Sequence, residues 1–118
     1  MANNQYTGGV GETLAVKYFQ EKGYEILHRN WRHKQFEVDI IASHEGILHF
    51  IEVKTRSSIK FGYPEENVSK KKIRCLVDAS AEFLYQYPQW QRVQFDVLSI
   101  VTGPKEEADY FLIEDVYL

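Results

Sequence analysis

The sequence predicts an α/β fold in which helices pack on a mixed β-sheet. Two segments carry apolar residues at helical spacing, and five others have the composition and alternation of strands. Their order along the chain is α-β-β-β-α-β-β, which favours one central sheet flanked by helices. The 118 residues fit a single domain, residues 1–118, and we expect residues 1–6 to be flexible.

The first half of the chain predicts a helix followed by two strands. Apolar residues at helical spacing indicate a helix over residues 7–22, and Gly23 is its expected stop. The strands are expected at residues 24–31 and 36–43. Strict alternation in the second strand divides its side chains between two faces, with Val38, Ile40 and Ala42 on one and Glu37, Asp39 and Ile41 on the other.

The second half predicts a hairpin partner, a second helix and two more strands. A short turn, His44-Glu45-Gly46, leads to a returning strand over residues 47–55, and a loop follows. Ser69 is a good N-cap for a helix that ends near residue 87, before Pro88. Strands are expected at residues 92–101 and 109–117. The core stripe of the second helix is predicted to be Ile73, Leu76, Val77, Ser80, Phe83 and Leu84.

Charge and cysteine content narrow the classes of function. The net charge of −3 argues weakly against a general nucleic-acid binder, which is usually basic. The single cysteine, Cys75, excludes an internal disulfide, and no segment resembles a secretory signal or a membrane span, so we expect a cytoplasmic protein. Basic residues are nevertheless concentrated between Lys54 and Arg74, so one face could be basic.

The residues that indicate chemistry are Asp39 in the second strand and Glu52-Val53-Lys54 in the third. Alternation places Glu52 and Lys54 on one face, about 6.6 Å apart, and hairpin pairing can bring Asp39 beside them. Two carboxylates can hold Mg²⁺ with water and a substrate phosphate, and a lysine can stabilise the transition state of phosphodiester hydrolysis.

Each of these residues also has a purely structural interpretation. A Glu-x-Lys triplet occurs by chance in strands, as a harmless pair on a solvated face. Here, however, Leu48 and Phe50 share the face of Glu52, so the strand has an apolar body and a charged end. Glu12 borders the buried stripe of the first helix and could reach the sheet. Alternatively, its negative charge could only stabilise the N-terminus of the helix through the helix dipole.

The basic residues at the start of the second helix are a second candidate site. A cation at a helix N-terminus opposes the helix dipole, so Lys70, Lys71 and Lys72 are either a solvated charge run or a surface for an external polyanion. Arg56 and Lys60 would extend such a nucleic-acid-binding surface.

Five stretches resemble a known family: GETLAVKYFQEKGYEILHRNW, FEVDIIA, HFIEVKTR, FGYPEENVSKKK and QFDVLSI. They are similar, in one order through nearly the whole chain, to the YraN-type family of uncharacterised bacterial proteins. That family resembles the restriction-endonuclease-like superfamily, whose nucleases carry the PD-(D/E)xK motif, and in pattern the archaeal Holliday-junction resolvases. The resemblance implies a restriction-endonuclease-like version of the α/β fold.

The resemblance also implies roles for individual residues. Glu12, Asp39 and Glu52 match metal-binding carboxylates, the carbonyl of Val53 could complete the shell, and Lys54 matches the catalytic lysine. The implied cofactor is Mg²⁺ or Mn²⁺. One departure is Phe36, which stands where family members often have glycine and could narrow the approach of substrate.

Three functions are compatible with these observations. The first is a metal-dependent endonuclease that acts on DNA, including branched or repair and recombination intermediates, with a homodimer suited to cutting two strands. The second is a nucleic-acid-binding accessory module without catalysis. The third is a protein-interaction domain on the same fold, supported only by the acidic surface and the lack of an obvious signal of binding specificity.

Overall fold

A computed structural model describes residues 2–56, 69–103 and 108–116, with side chains from Val10 onward. The elements are α1 (Ala2–Glu21), β1 (Glu25–His33), β2 (Phe36–His44), β3 (Ile47–Arg56), α2 (Lys70–Gln86), β4 (Val93–Thr102) and β5 (Ala108–Ile113). The strands form one sheet in the order β1-β2-β3-β4-β5. β3 and β4 are parallel and joined through α2, whereas the other neighbours are antiparallel. The predicted α/β fold and the order of its elements are confirmed.

The C-terminus of α1 is closed by the predicted glycine. The N–H of Gly23 donates to the carbonyl of Gln20, and the N–H of Tyr24 donates to that of Phe19, both at 3.0 Å. With a φ of 91° at Gly23, this is a Schellman motif, and the Phe19 and Tyr24 rings pack 4.9 Å apart beside it. The N-terminus differs from the prediction, since α1 begins at Ala2 and not at residue 7. The first turns could not be predicted, because the residues before 7 carry no apolar repeat. The flexibility expected of residues 1–6 stays a prediction.

Two hydrophobic clusters lie on opposite faces of the sheet. The α1 cluster comprises Ala15, Phe19, Tyr24, Ile40, Ala42, Ile51, Leu98 and Ile100. The α2 cluster comprises Val38, Ile41, Leu48, Phe50, Leu76, Ala79 and Phe83. Because neighbouring β3 residues contribute to different clusters, the sheet is covered on both sides.

The second helix begins as predicted. Ser69 is the N-cap, with its hydroxyl oxygen accepting the N–H of Lys72 at 3.1 Å. The buried residues of α2 are Ile73, Leu76, Ala79, Ser80 and Phe83. The predicted stripe included Val77 and Leu84, which are only half-buried, and missed Ala79, whose small side chain gives a weak sequence signal although it lies against the sheet.

The alternation predicted for β2 is wrong at one point. Val38 belongs to the α2 cluster, whereas Ile40 belongs to the α1 cluster, so these two residues do not share a face. The ladder between β1 and β2 passes from the Trp31–Val38 pair to the Arg29–Ile40 pair, and Asn30 between them has a left-handed φ of 52°. The regular pleat is therefore interrupted at the level of Asp39.

Candidate functional site

Asp39 lies where β2 and β3 separate. Their register extends from the His44–Ile47 pair to the Ile40–Ile51 pair, and beyond it β3 continues beside β4 alone. At this point the N–H of Val53 donates to the Asp39 carboxylate, with 2.8 Å between N and Oδ2. A side chain thus satisfies a main-chain donor that β2 no longer pairs, and Asp39 is held against β3.

The surroundings of Asp39 oppose its ionisation. Burial, and next the negative charge of Glu52, raise its pKa from 3.8 to about 7. The hydrogen bond from Val53 and the positive charge of Lys72 act in the other direction, and the more distant charge of Glu12 adds to the rise. Two repelling, largely buried carboxylates are costly to hold together, and this cost is typical of functional sites.

Glu52 is the second carboxylate of the pair and is 9% exposed. It lies on the α2 side of β3, together with Leu48 and Phe50 as the sequence predicts. Its Oε2 is 3.2 Å from the Nζ of Lys72. Burial alone would lower the pKa of Lys72, but the charge and hydrogen bond of Glu52 outweigh it, so the pKa of Lys72 is raised.

Glu12 is close to the pair but is engaged elsewhere. Its Oε1 lies 3.1 Å from both Nε and Nη2 of Arg29 on β1, and its side chain is 15% exposed. The sequence predicted that Glu12 could lean toward the sheet, and it does so by pairing with this arginine. Its effect on the pKa of Asp39 places its charge within electrostatic range of the site.

Gly11 allows α1 to come this close. A Cβ built on Gly11 would collide with Oγ1 of Thr55 and lie 3.1 Å from its Cβ. A branched side chain on a strand has little freedom to move away. The glycine therefore sets the distance between α1 and β3, and with it the position of the neighbouring Glu12.

The predicted basic residues are distributed unevenly. Lys54 is half-buried and forms no ion pair with the residues that the structure describes. Lys70 and Lys71 are exposed at the start of α2. The carbonyl of Arg56 accepts the hydroxyl of Thr102 at 3.4 Å, and Lys60 lies outside the described residues. The sequence predicts that Lys72 belongs to an outer nucleic-acid-binding surface, and no sequence pattern indicates its contact with Glu52.

The oxygen atoms of Asp39, Glu52 and Val53 are the kind of ligand that a hard cation prefers, although they do not surround a cation site. Within residues 2–56, 69–103 and 108–116, no three His, Cys, Asp or Glu side chains are grouped so that they could hold an ion. Asp39 and Glu52 are two carboxylates brought together, and Val53 adds a main-chain carbonyl on the same strand. Mg²⁺ commonly uses one or two carboxylates and takes water or substrate oxygens in its other positions. The metal ligands stay a prediction.

A second polar group, which the sequence did not reveal, is buried on the α1 face. Nδ1 of His49 lies 2.7 Å from Oδ2 of Asp96, and both side chains are at most 4% exposed. Oδ1 of Asp96 accepts hydrogen bonds from the Gln94 side chain at 2.9 Å and from the Asp115 N–H at 3.0 Å. The pair joins two strands and the segment after β5, and we expect it to stabilise the fold.

The fold and the site define a small α/β protein with a buried carboxylate pair where two strands of a mixed sheet separate. No helix in the described part of the chain is long and apolar enough to cross a membrane. The profile of the Uncharacterised protein family UPF0102 matches residues 11–100. The chain belongs to this family, as the resemblance to the YraN-type proteins predicted.

Individual relatives support this assignment over most of their length. A UPF0102 protein of Flavobacterium psychrophilum is 42% identical over 106 residues, covering 90% of this chain and 89% of the relative. One of Rhodococcus opacus is 39% identical over 118 residues, covering 99% and 100%. One of Caldicellulosiruptor saccharolyticus is 42% identical over 118 residues, covering 98% and 99%.

Proposed function

We propose that this protein is a metal-dependent nuclease that hydrolyses phosphodiester bonds in DNA, with branched or repair and recombination intermediates as its substrates. The observation that carries the proposal is the buried pair of Asp39 and Glu52. Glu52 raises the pKa of Asp39, so the two negative charges oppose each other in the absence of an added cation. Such a pair is suited to a divalent metal ion, which relieves the repulsion.

The chemistry would be divided among a few residues of the site. Asp39 and Glu52 would hold Mg²⁺ or Mn²⁺, which when bound lowers the pKa of a bound water and neutralises charge on the scissile phosphate. Lys54, two residues beyond Glu52 on the same strand face, would orient the attacking water and stabilise charge in the transition state. Glu12, held by Arg29, would add negative charge beside the metal.

The DNA would lie against the start of α2. Lys70 and Lys71 are exposed there, and a helix N-terminus itself attracts phosphate groups. Arg56 at the end of β3 would extend the surface, and the sequence predicts the same of Lys60, which lies outside the described residues. A homodimer would present two such sites to one DNA. We place the activity in the cytoplasm, because the one cysteine is a free, exposed thiol that suits a reducing compartment.

The test is a cleavage assay on four-way-junction, single-stranded and duplex DNA with Mg²⁺ or Mn²⁺. The wild-type protein should cleave at least one substrate, and Asp39→Asn, Glu52→Gln and Lys54→Ala should each abolish or strongly reduce cleavage. Matched controls are Asp109→Asn, Glu25→Gln and Lys17→Ala, which change exposed residues and should cleave normally. Cleavage that persists in all three site variants, or is absent from the wild type on every substrate, contradicts the proposal.

A second candidate function is nucleic-acid binding without catalysis. It is favoured by the exposed Lys70 and Lys71, together with the ion pair to Arg29 that already engages the predicted metal ligand Glu12. This function requires DNA binding that is independent of metal and weakens with salt. A Lys70→Ala, Lys71→Ala variant should then bind more weakly and with a shallower salt dependence, whereas Asp39→Asn should bind like the wild type.

A further inference from the structure

The protein itself supplies a cation, the side chain of Lys72, that contacts the carboxylate pair. Nζ of Lys72 is 3.2 Å from Oε2 of Glu52, and its charge also lowers the pKa of Asp39. The backbone at Lys72 is fixed, because its N–H donates to the N-cap hydroxyl of Ser69 at 3.1 Å. The first turn of α2 thus directs one lysine to the separated ends of β2 and β3.

This contact is specific to one of four lysines near the site. Lys70 and Lys71 belong to the same exposed helical turn as Lys72, but they form no ion pair with the described residues. Lys54 is only two residues from Glu52, yet it also forms no ion pair within the described part of the chain. The side chain that neutralises Glu52 therefore comes from α2.

We propose that Lys72 is the resident cation of the Asp39–Glu52 pair and that a divalent metal ion displaces it from Glu52. The inference rests on the proposed function, since it assumes that these carboxylates bind the metal. A metal ion held by Glu52 would compete with the ammonium group of Lys72 for its carboxylate, because bringing both cations to it would place like charges in contact.

The accessibility of the two partners suits such an exchange. The side chain of Lys72 is 52% exposed, whereas that of Glu52 is 12% exposed. Lys72 can therefore leave toward solvent while Glu52 stays in place. A long, flexible lysine side chain allows this movement without moving the helix. The released ammonium would join Lys70 and Lys71 at the surface where a phosphate group would approach.

The test is Mn²⁺ binding measured by calorimetry on the full chain, at one ionic strength. The variants are Lys72→Met, which removes the charge but keeps the length, Lys72→Arg, which keeps the charge, and Lys71→Met as the matched control. If Lys72 competes with the metal, Lys72→Met should bind Mn²⁺ about tenfold more tightly than the wild type. Lys72→Arg and Lys71→Met should bind like the wild type.

A merely structural role would not give this result, because a damaged site binds metal more weakly. Unchanged or weaker Mn²⁺ binding by Lys72→Met, or equal strengthening by Lys71→Met, overturns the inference. Binding by Lys72→Met where the wild type shows none supports it. Absence of binding by both proteins overturns both proposals, whereas tighter binding without DNA cleavage overturns only the nuclease.

A second measurement does not depend on the folding of Lys72→Met. The NMR signal of the Lys72 ε-methylene group, assigned by its loss in Lys72→Arg, is followed during titration of the wild type with Mg²⁺. Exchange predicts that this signal moves toward the position of an exposed lysine, while the signals of Lys70 and Lys71 stay in place. A Lys72 signal that does not move while the metal binds contradicts the exchange.

Discussion

The carboxylate of Asp39 accepts the main-chain N–H of Val53 at 2.8 Å, where β2 no longer pairs with β3. This hydrogen bond links the fold to the site. It satisfies a donor that would otherwise be left without a strand partner, and it holds a carboxylate beside Glu52. Asp39 therefore both links β2 to β3 through this hydrogen bond and is proposed to bind metal.

Replacement of Asp39 should stabilise the metal-free protein at high pH. The pKa of Asp39 is about 7 in the folded protein and 3.8 ordinarily, so folding favours the protonated carboxyl. This contribution is complete below the ordinary pKa and is lost as the pH rises through about 7. Asp39→Asn cannot ionise, and its free energy of unfolding should exceed that of the wild type by roughly 2 kcal/mol at about pH 8.

The measurement is urea unfolding with a chelator at about pH 5 and about pH 8. The wild type should lose stability between these values, and Asp39→Asn should lose less. Asp109→Asn, at an exposed position of β5, is the control and should follow the wild type. If Asp39→Asn were less stable than the wild type at the higher pH, the prediction would be wrong, because ionised Asp39 would then stabilise the fold.

Gly11→Ala should destabilise the protein, although alanine usually stabilises a helix relative to glycine. The added Cβ would collide with Oγ1 of Thr55 and separate α1 from β3. We expect the free energy of unfolding to fall by about 1–3 kcal/mol, measured by urea unfolding. Thr55→Ala should restore most of this loss in the double variant, and a purely additive result would refute the close contact.

Lys54→Ala should separate chemistry from metal binding. Lys54 forms no ion pair with the described residues, so its removal should leave the Mn²⁺ affinity unchanged, whereas the cleavage rate should fall by about 10²–10³-fold. Calorimetry and single-turnover cleavage measure the two quantities. Lys17→Ala, on the exposed side of α1, is the control. A loss of metal binding in Lys54→Ala would mean that the lysine organises the carboxylates instead.

Asp96→Ala should destabilise the fold without affecting the metal site. Asp96 is fully buried and accepts hydrogen bonds from three groups, so its removal leaves buried donors unsatisfied. The expected cost is about 3–5 kcal/mol by urea unfolding, against little change for the exposed Asp78→Ala. Asp96 lies on the α1 face, opposite Glu52, and Mn²⁺ affinity should be retained where the variant is folded. A cost below about 1 kcal/mol would contradict the structural role.

Local patterns in the sequence were enough to predict most of the architecture. Turn and cap residues act on their immediate neighbours, and this is why Gly23, the Glu45-Gly46 turn and Ser69 were located correctly. Apolar periodicity likewise predicted the order of the elements. The interruption of β2 at Asp39 was missed, because it depends on how β1 pairs with β2 and no local pattern reports that.

The candidate site was predicted in its residue types but not in its contacts. The sequence indicated Asp39 and Glu52 as neighbours, since hairpin register follows from a short turn. It did not indicate that Lys72, which lies on α2, would contact Glu52 on β3. The connection between these elements is long, so the sequence alone does not give the distance between the two residues. The His49–Asp96 pair was missed for the same reason, since a parallel crossover separates its two residues in the chain.

The most direct test of the central claim is Mn²⁺ binding by calorimetry to the wild type and to an Asp39→Asn, Glu52→Gln double variant. The exposed pair of changes Asp109→Asn and Glu25→Gln is the matched control. Our account predicts that the wild type and the control bind Mn²⁺ and that the double variant does not. Equal binding by the double variant, or no binding by either the wild type or Lys72→Met, would contradict the assignment of this carboxylate pair as a metal site.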